Sequence, residues 1–168
     1  MRSPTGAVAV FFWFVVMAPV LVAEIFKSPM VDYRLVALGA AIPLVELFIG
    51  HAFVLHTLLG SVVVLTVVML ATVGRRLVRR RLLGVPIGMF FHLALDGSWN
   101  SAELFWWPAF GWSLAAEPVP ETTGIGWRLL LELAGLAVAA LAVRRYDLDQ
   151  PANRSRLLRT GHLAPNWS

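Results

Sequence analysis

The sequence predicts an all-α fold: a polytopic transmembrane helical bundle of about five spans, some of them short. Three observations predict it. Of the 168 residues, 58% are hydrophobic and the mean hydropathy is +0.73, a composition that excludes an ordinary soluble domain and a disordered chain alike. The apolar residues are gathered into five runs, as bilayer-crossing segments require. The arginines cluster beside those runs, the pattern that fixes membrane orientation.

The runs are residues 7–26, 35–49, 53–73, 82–99 and 127–143, against a requirement of roughly 20 residues per span. The first begins soon after Arg2 and could pass for a secretory signal. Its length and the poor cleavage sequence Leu21-Val22-Ala23-Glu24 mark it as a retained anchor. The second is short and interrupted by Pro43, and needs to start near Val31 to cross. The third is the clearest. The fourth only just qualifies. The fifth is closed by Arg144 and Arg145. Short spans can stop below the interface or line a cavity inside a bundle.

Orientation follows from the arginines. Arg75, Arg76, Arg79, Arg80 and Arg81 crowd the link between runs three and four, which the positive-inside rule makes cytoplasmic. Counting outward puts Lys27, Arg34, Arg144 and Arg145 inside as well, together with Arg154, Arg156 and Arg159 of the tail. The link 98–126 has Glu103, Glu117 and Glu121 but no Lys or Arg, and falls outside. The expected location is a bacterial cytoplasmic (inner) membrane, multi-pass, with the N-terminus outside and the C-terminus cytoplasmic. Residues 1–145 form the membrane domain, and 146–168 read as a short, mobile polar tail. The net charge of +4 is explained by topology, so a nucleic-acid partner is not expected. The expected partner is membrane lipid, with an oligomer or a partner subunit compatible. Cysteine is absent, so any metal would need His and carboxylate ligands.

The outer link is rich in Trp. An interfacial aromatic belt accounts for most of this, but 104–112 is also apolar enough to lie in the interface as a partial lid, with Pro108 and Gly111 breaking any continuous helix.

His92 and Asp96 lie four residues apart in the fourth run, on one face of a helix. An imidazole and a carboxylate are costly in lipid and mark functional positions. The topology brings Glu46 to the outer end of the second span, His51 to the turn that follows, and His56 about one turn into the third. All five residues therefore map to the outer half of the bundle, although none was used to assign the topology. Glu24 and Glu132 map elsewhere. Two or three His with one or two carboxylates form the donor set of a divalent metal, zinc first, with manganese and iron able to use the same atoms. A catalytic site of this kind keeps one position for water, whose pKa the ion lowers. A spare carboxylate serves as general base or orients a ligating His. Each residue also has a plainer explanation. His51 suits an interfacial turn, Asp96-Gly97-Ser98 suits a helix terminus, and Glu46, His56 and His92 could each make an interhelical hydrogen bond worth about 0.6 kcal/mol. Gly60 with Ser61, and Gly84 with Gly88, read as close helix contacts.

These residues carry a resemblance. The segments Gly39-Ala40-Ala41-Ile42-Pro43-Leu44-Val45-Glu46, His56-Thr57-Leu58-Leu59 and Phe91-His92-Leu93-Ala94-Leu95-Asp96-Gly97-Ser98-Trp99 resemble those of the YdjM-type membrane-bound metal-dependent hydrolases of bacteria. The Arg-rich link and Phe105-Trp106-Trp107-Pro108 are similar to an actinobacterial branch. The resemblance covers about residues 32–112. The resulting expectation is a metal-dependent hydrolase with His56, His92 and Asp96 as metal ligands, His51 as an outer ligand or substrate contact, Glu46 as ligand or catalytic base, and Trp99, Trp106 and Trp107 bordering a lipid-facing entrance. The resemblance implies a phosphoester or lipid substrate, and a membrane-embedded site facing outward suggests a lipid or envelope precursor. The chain departs from the family pattern at Leu44, where an Asp is common, which would weaken metal binding or leave a mononuclear site.

Two other functions fit the same residues. One is a non-catalytic membrane subunit or assembly factor whose polar cluster holds helices together. The other is a proton-coupled transporter, which the confinement of the cluster to one half of the membrane and the absence of repeats disfavour.

Overall fold

The computed structural model describes residues 10–48, 54–109 and 125–163, and is all-α, with no strand among them. Helix α1 (Phe11–Phe26) is apolar except for Glu24 in its last turn and contains Pro19. Helix α2 (Tyr33–Ala41) starts at Asp32, whose side chain accepts from the Arg34 N–H, satisfying one of the donors a helix leaves open at its start. It stops before Pro43, which lacks an N–H to continue the ladder, and the chain goes on as a 3-10 turn, Pro43–Phe48.

A second 3-10 turn, Val54–His56, leads to Thr57. Thr57 Oγ1 accepts from the Gly60 N–H at 3.0 Å and so caps α3 (Leu58–Ala71). His56 therefore precedes the third helix rather than lying one turn inside it, because the cap fixes where the helix starts. A turn at Gly74, with φ +75, leads into α4 (Arg76–Leu82), a short, largely exposed helix. Helix α5 (Gly84–Asp96) ends at Gly97, in the left-handed region that glycine adopts without a steric penalty. A 3-10 turn, Ser98–Asn100, and α6 (Ala102–Phe105) follow. Helix α7 (Ile125–Arg145) and α8 (Pro151–Thr160) complete the chain.

Among the described residues, one of the five expected spans, α7 at 21 residues, is a helix long and apolar enough to cross a membrane; α1 and α3 are shorter apolar helices. Pro43, the Thr57 cap and Gly97 interrupt runs that hydropathy alone reads as continuous.

Helix α5 packs on α2 and α3, α2 on α1, and α1 on α7. The main core joins Ala18, Val22 and Ala23 of α1 to Tyr33, Val36 and Ala40 of α2. Glycines set the closest approach. A Cβ on Gly88 would overlap the Val36 carbonyl and the Ala40 nitrogen, and one on Gly39 would overlap the backbone of Val85. The expected close helix contacts are present at Gly84 and Gly88, against residues 32–40, whereas Gly60 sits against the Val54 carbonyl of the turn that leads into its own helix.

The tail is corrected by the structure. Instead of a mobile end, Tyr146 and Leu163 are buried in the main core. The carbonyl of Gly161 accepts from the Tyr33 N–H at 2.8 Å, and that of Leu158 accepts from Arg34 Nη1 at 2.7 Å. The polar sequence hides this because α8 is held partly through backbone carbonyls, with Leu157 as its one side chain packed on the core and Tyr146, Leu148 and Leu163 packing from either side of it.

Candidate metal centre

His92 and Asp96 lie in the last turns of α5, and His56 in the 3-10 turn that precedes α3. One ligand atom from each lies within 4.8 Å of the others, a group that could hold a metal ion. The Nε2 atoms of both histidines approach the same Asp96 oxygen, Oδ2, at 3.7 Å for His56 and 3.8 Å for His92. All three side chains have zero solvent exposure. Both distances exceed an ordinary hydrogen bond. They approach the spacing of about 3.4 Å between ligand atoms that each sit about 2.0–2.1 Å from a tetrahedral ion.

Each imidazole is held from behind. His92 Nδ1 lies 2.7 Å from the Ala40 carbonyl oxygen. A carbonyl can only accept, so Nδ1 carries the proton and, in the neutral ring, Nε2 presents a lone pair toward Asp96. The helix packing makes this contact possible. Gly88 sits against Val36 and Ala40, and one turn further along α5 His92 meets Ala40. His56 Nδ1 lies 2.7 Å from Glu46 Oε2, while Glu46 Oε1 accepts from the Leu55 N–H at 2.7 Å. Glu46 is 3% exposed. It stands behind His56 and outside the three-residue group, the position of a carboxylate that orients a ligating His.

Asp96 is fixed by Ser98. Oδ1 accepts from the Ser98 N–H at 2.7 Å and Oδ2 from the Ser98 hydroxyl at 2.6 Å. The walls are aromatic and aliphatic. Phe14 stacks on His92 with ring centroids 4.0 Å apart and 29° between planes. The His56 and His92 rings meet edge to face at 5.4 Å. Leu44 packs with Val10 and Phe14, so the position where the resemblance implies a further acid is filled by apolar packing.

Of the residues singled out in the sequence, His56, His92 and Asp96 come together, with Glu46 directly behind. His51 lies outside the described residues. Trp99 is 60% exposed and lines a cavity of about 300 Å³ beside Asp96 between α1, α5 and α7; Trp106 and Trp107 do not line it. Of the segment 104–112 expected as a partial lid, residues 104–109 form the end of α6 and the turn after it, and residues 110–112 lie outside the described residues.

Sequence reasoning missed Phe14, Trp13, Ser98 and the Ala40 carbonyl. Asp96-x-Ser98 has the spacing of an Asx turn, so Ser98 was within reach of a local signal. Phe14 and Trp13 had none, because the first half of α1 is apolar all round and presents no distinct face.

No family model, no curated protein and no solved structure matches this chain.

Proposed function

We propose that the chain is an integral membrane, metal-dependent hydrolase. His56, His92 and Asp96 hold one divalent ion, zinc by preference, and Glu46 positions His56. The observation that carries this reading is the shared focus of two imidazoles on one carboxylate oxygen, at 3.7 and 3.8 Å, with each ring anchored through its other nitrogen. Three protein ligands from His and Asp match the pattern of zinc sites that keep an open position for chemistry. When bound, such an ion supplies Lewis acidity toward water and toward the group to be cleaved. The chain's own residues do the rest. Ala40 and Glu46 fix the tautomers, Ser98 fixes the Asp96 carboxylate, and Phe14 and Leu44 exclude water from one side.

The membrane reading is supported by the apolar side chains that α3 and α7 present outward, Val63, Val67, Leu70, Leu129, Leu133 and Leu141 among them. It is also supported by the separation of charge. The Arg-rich link joins the far ends of α3 and α5 from the His–Asp group, so a cytoplasmic link puts the group in the outer half of the bilayer. There the available substrates are membrane lipids and lipid-linked envelope precursors. The resemblance to the YdjM-type hydrolases supports the same class of chemistry.

A structural role for the cluster is favoured by one observation: both Asp96 oxygens already accept from Ser98, as they would in a helix-terminating turn. Metal analysis decides between the two. Detergent-purified protein should retain about one zinc-like ion per chain, and His92→Ala and Asp96→Ala should lose it. The holo protein should release product from an envelope-lipid extract, and chelation should stop the release. A metal-free parent whose variants behave as it does would leave the cluster structural.

A further inference from the structure

Ion pairing accounts for some of the arginines and not for others. Arg34 is held by Asp32, and Arg145 by Glu24. Helix α4 differs. Residues 75, 76, 79, 80 and 81 are all arginine, and the whole stretch 47–95 contains no Asp or Glu. Among the described residues, no carboxylate pairs with any of these five side chains. The helix buries none of its residues and rests mainly on α3 and α5.

Two features define the surface that results. Arg76, Arg79 and Arg80 stand at i, i+3 and i+4, so their guanidinium groups share one face. Like charges at that spacing repel. With no described carboxylate to offset them, the face is complementary to an external array of anions, and the arginine fork matches phosphate oxygens. The second feature is apolar. Val73, Leu77 and Val78 are exposed beside the arginines, as is Leu70 on the last turn of α3. A nucleic acid would meet the arginines and leave these aliphatic side chains in water. The boundary of an anionic bilayer takes both, with phosphates at one level and acyl chains at the next.

We infer that α4 is an interfacial helix that docks on the anionic phospholipids of the leaflet it faces. The inference rests on the membrane placement proposed above and not on the metal chemistry. Arg76, Arg79 and Arg80 hold lipid phosphates, while Leu77 and Val78 enter the acyl boundary. Because α4 joins the ends of α3 and α5 that lie away from His56, His92 and Asp96, this docking sets the depth of the His–Asp group in the bilayer.

The test uses the full chain, purified in an uncharged detergent and titrated with phosphatidylglycerol or phosphatidylcholine, with bound lipid counted by native mass spectrometry. The parent should hold phosphatidylglycerol in preference. The triple variant Arg76→Gln, Arg79→Gln, Arg80→Gln should lose that preference by about 100-fold, or about fivefold for each basic residue taken from an anionic surface, with its unfolding midpoint unchanged. Lysine at the same three positions keeps the charge and should keep most of the preference. Arg154→Gln with Arg156→Gln, on α8, should change it little. An equal loss in the α8 variant would make the preference a property of net charge and overturn the assignment. Displacement of the lipid by inorganic phosphate at constant ionic strength would overturn it as well, as would tighter binding of a duplex oligonucleotide through the same arginines. A parent that requires detergent yet holds both lipids alike would overturn the surface and leave the membrane placement standing. A parent that is monodisperse without detergent would sink the membrane placement. Flotation with phosphatidylglycerol vesicles, lost in the triple Gln variant, would then still support the surface, and the absence of flotation would overturn it.

Discussion

The two ends of the helices treat charge in opposite ways. At one end lie Lys27, Arg34, the arginines of α4, Arg144, Arg145 and the arginines of α8. Charge there is solvated or paired with an exposed arginine: Arg34, 40% exposed, holds the buried Asp32 at 2.9 Å, and Arg145, 51% exposed, holds the half-exposed Glu24 at 3.3 Å. At the other end Glu46, His56, His92 and Asp96 are drawn together with fully or almost fully buried side chains. Ion pairs with one exposed partner contribute roughly 0–1 kcal/mol, so the basic end needs no chemical function to explain its charges. Burying two imidazoles and two carboxylates is expensive. The stability of the bundle does not require it, which is why the second end is where chemistry should be sought. Helices α2 and α5 reach both ends, so substitutions along them tell whether the ends are independent.

Gly88→Ala should have the largest effect. The new Cβ meets the Val36 carbonyl and the Ala40 nitrogen, which are backbone atoms and cannot swing aside. Separating α2 from α5 should cost about 1–3 kcal/mol or more and should draw the Ala40 carbonyl away from His92. Thermal unfolding in detergent should show a lowered midpoint, and metal affinity should fall with it. Gly126→Ala, with open space around that glycine, is the control and should change neither. An unaltered midpoint for Gly88→Ala would mean that the glycine contact does not set the distance between the helices.

Glu46→Gln comes next and acts at one end alone. The amide keeps the size of the carboxylate and can still accept from the Leu55 N–H, but it no longer offers His56 Nδ1–H a charged acceptor. Loss of such an orienting carboxylate typically lowers metal affinity by about 10–100-fold. Competition with a metal indicator should show that loss while the unfolding midpoint stays close to the parent's. Complete loss of metal would instead make Glu46 a direct ligand. No change at all would make the Glu46–His56 contact incidental to metal holding.

The comparison also explains what the sequence made legible. The all-α class, the close glycine contacts and the juxtaposition of His56, His92, Asp96 and Glu46 all follow from patterns that repeat along the chain: apolar runs, i,i+4 spacing and the side of each turn. The role of Glu46 did not follow, because whether a carboxylate faces an ion or the back of a histidine depends on a few ångströms of turn geometry at 43–48 and 54–56. The helix starts were blurred for a related reason. The apolar run through 53–73 conceals a single capping residue, Thr57, which converts its first turn to 3-10 form. Helix α8 was illegible because its docking rests on carbonyl oxygens, which every residue possesses. Trp13 and Phe14 were illegible because the first half of α1 is uniformly apolar and gives no sign of which face meets the site.

The smallest effect is expected at the basic end, from Asp32→Asn. Burial alone would raise the Asp32 carboxyl, but the Arg34 guanidinium and the backbone N–H groups of Leu35 and Arg34 outweigh it and hold the group below the ordinary carboxylate range. A carboxyl whose folded pKa is depressed stabilises the fold fully above its unfolded value of about 3.9, and that stability is lost as pH falls through the folded pKa. Asn caps a helix about as well as Asp, so the substitution isolates the charge. Because Arg34 is 40% exposed, the loss at neutral pH should be about 1 kcal/mol or less. Chemical denaturation of parent and variant should show that gap at neutral pH and its closure in acid, below the unfolded carboxyl value. A gap that persists in acid would assign the effect to the packing of Asp32 against Gly161 rather than to its charge. Metal content is the sharper readout. If the ends are independent, Asp32→Asn keeps the parental ion. If the ion is lost, α2 transmits strain from the Asp32–Arg34 pair to the Ala40 carbonyl, and the basic end belongs to the site.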